Sequence, residues 1–112
     1  MLKLGIFAIL RFIFPLFFMG LRYFSPILLS LATLGIILSL TSLFLHLDYK
    51  IIIALSSVAH MNLTAASIFT FSSYSVQCGI VTSIAHGFSS VSLFLFAGFL
   101  MNKTMSRFLD SL

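Results

Sequence analysis

Residues 27–45 form an apolar run that contains no charged side chain. About 20 such residues carry an α-helix across the hydrocarbon core of a bilayer, where every backbone polar group must be hydrogen-bonded within the protein. The rest of the chain has the same character, because 61% of all residues are hydrophobic and only 7% are charged. Soluble domains contain about 25% charged residues. The sequence therefore predicts an integral membrane protein that works inside a lipid bilayer.

Four apolar segments divide the chain. We predict an all-α fold, a polytopic membrane helix bundle that forms a single block over residues 1–112. Its four transmembrane helices are predicted at residues 2–14, 27–45, 49–71 and 76–101. Pro15 should end or kink the first helix, since proline removes a backbone hydrogen bond. Pro26 can occupy the first turn of the second, and Asp48 is a candidate N-cap of the third. In the fourth, Gly87 and Gly98 are predicted points of close helix approach.

The basic residues are scattered along the chain, which carries a net charge of +4. A nucleic-acid-binding protein concentrates such charge on one face, so this distribution argues against a nucleic-acid partner. The turn with Lys50 and the tail with Lys103 and Arg107 would share one side of the membrane, which the positive-inside rule places on the cytoplasmic or matrix side. The single Cys78 excludes an internal disulfide and a cysteine-based metal cluster within this chain.

Two of the predicted helices each carry a stripe of hydroxyl groups with one histidine near its middle. Side chains three or four residues apart lie on the same face of a helix. The first stripe comprises Ser56, His60, Thr64 and Ser67, and the second comprises Thr82, His86, Ser89 and Ser90.

These polar stripes have two interpretations. Ionisable groups at membrane depth usually face a bundle interior or a wet cavity, and histidine exchanges protons near neutral pH, so the stripes could conduct protons. Alternatively, the hydroxyls are helix-packing groups, and each histidine is a neutral residue that hydrogen-bonds between helices. For Lys3 and Arg11, the residues alone favour side chains that extend to the membrane interfaces.

Three segments of the chain resemble a known family. Residues 48–63 read DYKIIIALSSVAHMNL and are similar to the D-x-K-x-x-I-A-x-S-S-V-x-H-M segment of the antiporter-like subunits of respiratory complex I. Residues 84–94 read IAHGFSSVSLF and resemble the [SA]-H-G-x-x-S-x-x-L-F segment. Residues 1–17 are similar to the L-L-K…L-R-F…P-L-F stretch of the same subunits. Together they point to the subunit 4 branch of the NADH:ubiquinone oxidoreductase family, which also resembles subunits of multi-component sodium/proton antiporters.

The resemblance implies a proton-pumping role. In the family, the lysine matched by Lys3 lies near mid-membrane in the central proton relay, and the histidines matched by His60 and His86 lie in or beside the same hydrophilic axis. Asp48 and Lys50 correspond to a charged turn on the matrix side. The hydroxyls expected to support the polar axis are Ser56, Thr64, Thr82 and Ser89. No metal site and no catalytic residue is expected in this chain.

The resemblance covers an interior block, the eighth to the eleventh helices of the family's subunit. A mid-membrane Lys3 would also bury the unpaired N–H groups of the first turn, which costs several kcal/mol without partners. We therefore expect one piece of a split subunit, encoded in an organellar genome and completed by other fragments of the same subunit. A departure from the family pattern is Leu55, which stands where the family has tyrosine.

The chain is expected to form part of the proton-translocating membrane arm of complex I. It would carry out no redox chemistry of its own and would have no activity alone. The chain would bind no cofactor, although the complex uses NADH, FMN, iron–sulfur clusters and ubiquinone. Its partners would be other membrane-arm subunits and the lipid bilayer of the mitochondrial inner membrane, which the chain would cross several times. The alternatives are a subunit of a multi-component cation/proton antiporter, or a structural membrane-arm piece without its own proton path.

Overall fold

Helices make up most of residues 1–105, the part of the chain that the computed structural model describes. In chain order they are α1 (Leu2–Ala8), a π-helical turn (Ile9–Ile13), α2 (Phe14–Leu16), α3 (Phe18–Tyr23), α4 (Ser25–Leu45), α5 (Tyr49–Ile68) and α6 (Ser73–Thr104). Three of them, α4, α5 and α6, are long and apolar enough to cross a membrane. The prediction of an all-α membrane helix bundle is confirmed. Two charges of the predicted tail, Arg107 and Asp110, lie outside the described residues.

The first apolar segment is helical, as predicted, but it is broken before it reaches spanning length. Phe14 N–H donates to the carbonyl of Ile9, five residues back, so the helix widens just before Pro15, which has no N–H to donate. At Phe17 the backbone leaves the helical region, with φ −120° and ψ 34°. Of the four predicted spans, the last three correspond to helices of the described residues that are long and apolar enough to cross a membrane.

Close contact between α4 and α5 depends on a glycine. As predicted, Pro26 lies in the first turn of α4, and the helix then runs antiparallel to α5. A Cβ atom added to Gly35 would lie 2.6 Å from Asn62 Nδ2, well inside van der Waals contact. The missing side chain of Gly35 thus makes room for an amide on the neighbouring helix. This kind of small-residue contact is typical of helix pairs in membranes.

The turn between α5 and α6 is fixed by a reciprocal pair of serines. Ser75 N–H donates to Ser72 Oγ at 3.1 Å, and Ser72 N–H donates to Ser75 Oγ at 3.2 Å. This capping box satisfies two backbone donors at the helix start, so α6 begins at Ser73 rather than at the predicted residue 76. Phe71 completes the turn in the left-handed region, with φ 56°.

The first helical segment packs lengthwise against α5. Ile6 is buried with Met61 and Ile68 of α5, and Ile9 and Leu10 cover the same cluster. At the far end of this segment, the ring of Phe14 stacks on that of Phe71 with centroids 5.7 Å apart. The segment therefore leads from the middle of α5 towards the α5–α6 turn. Most other large apolar side chains point outwards, as expected of a surface that lipid surrounds.

Candidate functional site

The two histidines of the polar stripes face each other between α5 and α6. The ring centroids of His60 and His86 are 5.7 Å apart, and the ring planes are tilted by 44°. Each histidine lies well inside its helix, with helical turns on both sides. The rings border a cavity of about 270 Å³, whose polar wall is completed by Thr64, Thr82 and Ser89. Packing of the two helices thus brings together five of the residues singled out from the sequence.

Lys3 reaches the same pair of helices from α1. It lines a second cavity, of about 250 Å³, together with Ser57, His86 and Ser90. Its ammonium group also lies against the backbone of α6, because a Cβ atom added to Gly87 would overlap Lys3 Nζ. Since Gly87 adjoins His86, the start of α1 is placed beside the middle of α6. At Gly87 the close neighbour is the lysine side chain of α1 rather than the backbone of another helix, and at Gly98 no atom of the described residues lies within 4 Å of an added Cβ. Close helix approach at these two glycines stays a prediction.

His86 is the residue common to both cavities. Its ring lines the cavity that contains Lys3 and the cavity that contains His60. Its Nδ1 atom is buried and has no hydrogen-bond partner among the described residues. An unpaired polar atom of this kind costs about 1–3 kcal/mol unless something bonds to it, and a cavity of about 10–15 Å³ already holds a water molecule. His86 therefore offers a free polar atom to any donor or acceptor that reaches its ring.

The hydroxyl groups of the stripes donate their protons to their own helices. Thr64 Oγ1 bonds to the carbonyl of Met61 at 2.8 Å, and Ser89 Oγ bonds to that of His86 at 3.2 Å. The same pattern, with a carbonyl three or four residues back, holds for Ser56 and Thr82. Such bonds satisfy the hydroxyl donor within the helix and leave oxygen lone pairs that can accept a bond from water.

The sequence pattern selected two serines of the α5 stripe, Ser56 and Ser67, that the structure does not bring to the site. Ser56 belongs to the predicted stripe, but it lines neither cavity among the described residues. Its neighbour Ser57, off the predicted stripe, lines the cavity of Lys3. The three-to-four residue spacing aligned Ser56 with His60, whereas Ser57 faces α1. The position of α1 depends on contacts between helices, and the residue spacing within α5 alone does not predict it.

The charged turn between α4 and α5 lies apart from the histidines. Asp48 occupies the N-cap position of α5, as predicted, but its side chain makes no capping hydrogen bond, and its Oδ1 is buried without a hydrogen-bond partner among the described residues. Lys50 is exposed. At 1.5 Å per residue, His60 lies about 18 Å further along the helix than Asp48. In residues 1–105, no three side chains of His, Cys, Asp or Glu are grouped so that they could hold a metal ion.

A groove, separate from the two cavities above, also borders Lys3, and the sequence did not predict it. It has a volume of about 410 Å³ and is lined by Ile6, Phe7, Leu10, Arg11, Ile80 and Ser83 in addition to Lys3. Residues eight apart lie on the same face of a helix, and both cations border this groove. The sequence showed the pair of cations and Pro15, but it did not predict the turn that Pro15 induces.

Comparison with known proteins gives consistent matches. A family model described as NADH:quinone oxidoreductase/Mrp antiporter, transmembrane, matches residues 1–111. NADH-ubiquinone oxidoreductase chain 4 of Prototheca wickerhamii is 36% identical over 109 residues, which are 97% of this chain and 21% of that protein. The protein of the same name from Marchantia polymorpha is 36% identical over 107 residues, 96% of this chain and 22% of the relative.

A bacterial relative matches equally well. NADH-quinone oxidoreductase subunit M of Escherichia coli K12 is 35% identical over 107 residues, which cover 96% of this chain and 21% of the relative. The chain therefore spans 21–22% of the length of these curated relatives. The residues matched by the family model, 1–111, include both histidines, the lysine of α1 and the helices that hold them.

Proposed function

This chain belongs to the NADH:quinone oxidoreductase/Mrp antiporter transmembrane family, and from that premise we propose that it forms part of the proton-translocating membrane arm of respiratory complex I. Relatives from plants, algae and bacteria carry the names NADH-ubiquinone oxidoreductase chain 4 or NADH-quinone oxidoreductase subunit M. Their names support a role in the complex that oxidises NADH and reduces quinone. The chain itself would contribute proton transfer and no redox chemistry.

The observation that carries the proposal is the position of His86 between Lys3 and His60. His86 lines one cavity with each of them, which gives the order Lys3, His86, His60. Ionisable side chains inside a membrane bundle mark ion or proton pathways because their burial is otherwise costly. Lys3 and His60 are exposed in the isolated chain and His86 is half-buried, and the grouping of all three around two cavities that share His86 is more than helix packing requires.

The proposed transfer needs only groups that exchange protons reversibly. The ammonium group of Lys3 releases a proton to the free Nδ1 of His86, directly or through a water in the shared cavity. The imidazolium then passes a proton to His60, across a centroid separation of 5.7 Å that one water can bridge. The lone pairs of Thr64, Thr82 and Ser89 would orient that water. Histidine suits this relay because its pKa ordinarily lies near 6.5.

Driving force and cofactors would come from elsewhere in the assembly. We propose that NADH, FMN, iron–sulfur clusters and ubiquinone are bound by other subunits, and that this chain binds none of them. Its neighbours would be other membrane-arm subunits and further segments of the same subunit, in the mitochondrial inner membrane. The Asp48–Lys50 turn would lie on the matrix side, in agreement with the positive-inside rule.

A subunit of a cation/proton antiporter is the second candidate, because the description of the matching family includes Mrp antiporters. The names of the compared relatives favour complex I. A structural membrane-arm piece without its own proton path would leave the unpaired Nδ1 of His86 and the polar cavities unexplained.

Purification of the assembled complex through a tag on this chain tests the proposal. The expected result is co-purification of NADH:quinone reductase activity and, after reconstitution into proteoliposomes, acidification of the lumen on addition of NADH. The antiporter alternative predicts instead a proton flux that depends on a sodium gradient and not on NADH. Absence of NADH oxidation from the purified assembly would overturn the complex I assignment.

A further inference from the structure

Gly87 is the residue of α6 over which the amine of Lys3 lies. A Cβ atom built at Gly87 would overlap Lys3 Nζ, and the next nearest atom, Lys3 Cε, would be 3.7 Å away. The space above Gly87 is therefore occupied by the end of one lysine side chain and not by the backbone of a neighbouring helix. A larger residue at this position would have to displace the charged group itself.

The two sides of Gly87 differ in polarity. On one side lies the cavity that Lys3 shares with His86 and Ser90. On the other lies an apolar groove of about 640 Å³, which Lys3 and Gly87 themselves line together with Ile84 and Phe88. The lysine therefore borders both spaces, and because a cation is strongly disfavoured against apolar side chains at membrane depth, its ammonium group favours the side of His86 and Ser90.

We infer that Gly87 is a positioning residue for proton exchange between Lys3 and His86. The absence of a side chain lets the ammonium group of Lys3 rest on α6 next to the imidazole. In the exchange, an N–H bond of Lys3 Nζ breaks and an N–H bond forms at Nδ1 of His86, which leaves a neutral amine and an imidazolium. The inference rests on the proposed relay role of Lys3 and His86, and it adds that Gly87 sets the distance between them.

Comparison with the other glycines shows why a side chain added at Gly87 should displace the amine of Lys3 rather than destabilise the fold. At Gly35 and Gly79 an added Cβ would press on side chains of α5, which are held by helix packing. At Gly87 it would press only on the tip of a lysine, whose long stem can bend aside. At Gly98, also in α6, it would meet no atom within 4 Å. Gly98→Ala is therefore a matched control on the same helix.

The test compares Gly87→Ala with Gly98→Ala in the complete, assembled complex. For Gly87→Ala we expect normal assembly on native gels, an NADH-driven proton-pumping rate about tenfold lower, and a changed pH profile of pumping, since misplacing a reacting group by about 1 Å costs up to about 100-fold. Gly98→Ala should match the wild type in all three measurements. The inference is overturned if Gly87→Ala pumps like Gly98→Ala, or if its loss of pumping equals its loss of assembled complex.

Combination with Lys3→Ala separates this inference from the proposed relay. If Gly87 acts through the amine, Gly87→Ala adds no further loss in a Lys3→Ala background, and an additional loss would overturn the inference. Reduced pumping in Lys3→Ala together with normal pumping in Gly87→Ala would refute the role of Gly87 but not the relay role of Lys3. Normal pumping in Lys3→Ala would refute the relay role of Lys3, and the role of Gly87 with it.

Discussion

The imidazole rings of His60 and His86 lie 5.7 Å apart, tilted by 44°, on two helices that are joined by a short turn. Each ring borders the same polar cavity, and only His86 also borders the cavity of Lys3. The two histidines are therefore not equivalent. His86 lies between Lys3 and His60, and its removal would leave no histidine bordering both cavities.

His86→Phe should consequently abolish most proton pumping. The substitution keeps a planar ring of similar size but removes both nitrogens, so no group between Lys3 and His60 can accept a proton. Because positioned acid–base groups contribute about 10²–10⁴-fold to rate, we expect at least about a 100-fold loss of NADH-driven acidification in proteoliposomes. His46, exposed after the end of α4, supplies the matched control, and His46→Phe should pump normally. Equal rates in the two variants would contradict the central position of His86.

Lys3→Ala should impair pumping far more than Lys50→Ala. Both lysines are exposed in the isolated chain, but Lys3 borders the cavity of His86, whereas Lys50 lies in the first turn of α5, about 15 Å along the helix from His60. We expect about a 100-fold lower pumping rate for the first variant, the range of a lost acid–base group. The second should change the rate by less than about twofold, as most surface substitutions cost under about 0.5 kcal/mol. Equal and negligible effects in reconstituted complex would rule out Lys3 as a relay group.

Ser72→Ala should loosen the start of α6 without affecting proton transfer. The hydroxyl accepts a bond from Ser75 N–H at 3.1 Å, and loss of such a cap costs about 1 kcal/mol. Hydrogen–deuterium exchange of the first-turn amides in the assembled complex should become about fivefold faster, the factor that corresponds to this energy. In the control Ser92→Ala, which only removes a donor to the carbonyl of Ser89, exchange at these amides should not change. Unchanged exchange in Ser72→Ala would show that the cap is not needed.

The sequence predicted the elements of this chain well where the signal is local. The uncharged run at residues 27–45 corresponds to α4, Ser25–Leu45, because spanning length depends on composition alone. The spacing of residues around His60 and around His86 placed most of the stripe on the correct faces, because the helical period is fixed. The ends of α6 were less well predicted, since the Ser72–Ser75 box is a side-chain arrangement that the apolar pattern does not reveal.

Such patterns could not predict how the helices pack against one another. Periodicity within one helix gives a face, but it gives neither the rotation of a neighbouring helix nor the depth at which the two meet. The contact of Lys3 with α6 at Gly87 and the selection of Ser57 over Ser56 both depend on where α1 packs. For the same reason the contact at Gly35 was missed.

The contact between Gly35 and Asn62 leads to a prediction about assembly. A Cβ atom at Gly35 would lie 2.6 Å from Asn62 Nδ2 and 3.1 Å from its Cγ, so Gly35→Ala forces the amide or the whole of α4 to move. Overpacking of this kind typically costs about 1–3 kcal/mol. We expect less assembled complex on native gels and a lower melting temperature of the purified complex, whereas Gly98→Ala should leave both unchanged.

A second substitution identifies the cause. Asn62→Ala removes the atoms that the new methyl group would overlap, so the double variant Gly35→Ala/Asn62→Ala should recover most of the assembly that Gly35→Ala loses. Residues in direct contact show such non-additive effects, typically of about 0.5–3 kcal/mol, whereas distant ones do not. If the two losses simply added, the overlap with Asn62 would not be the source of the defect. Recovery would establish that α4 and α5 approach each other at this glycine, and that the helix carrying His60 is held in place from the side opposite to its partner histidine.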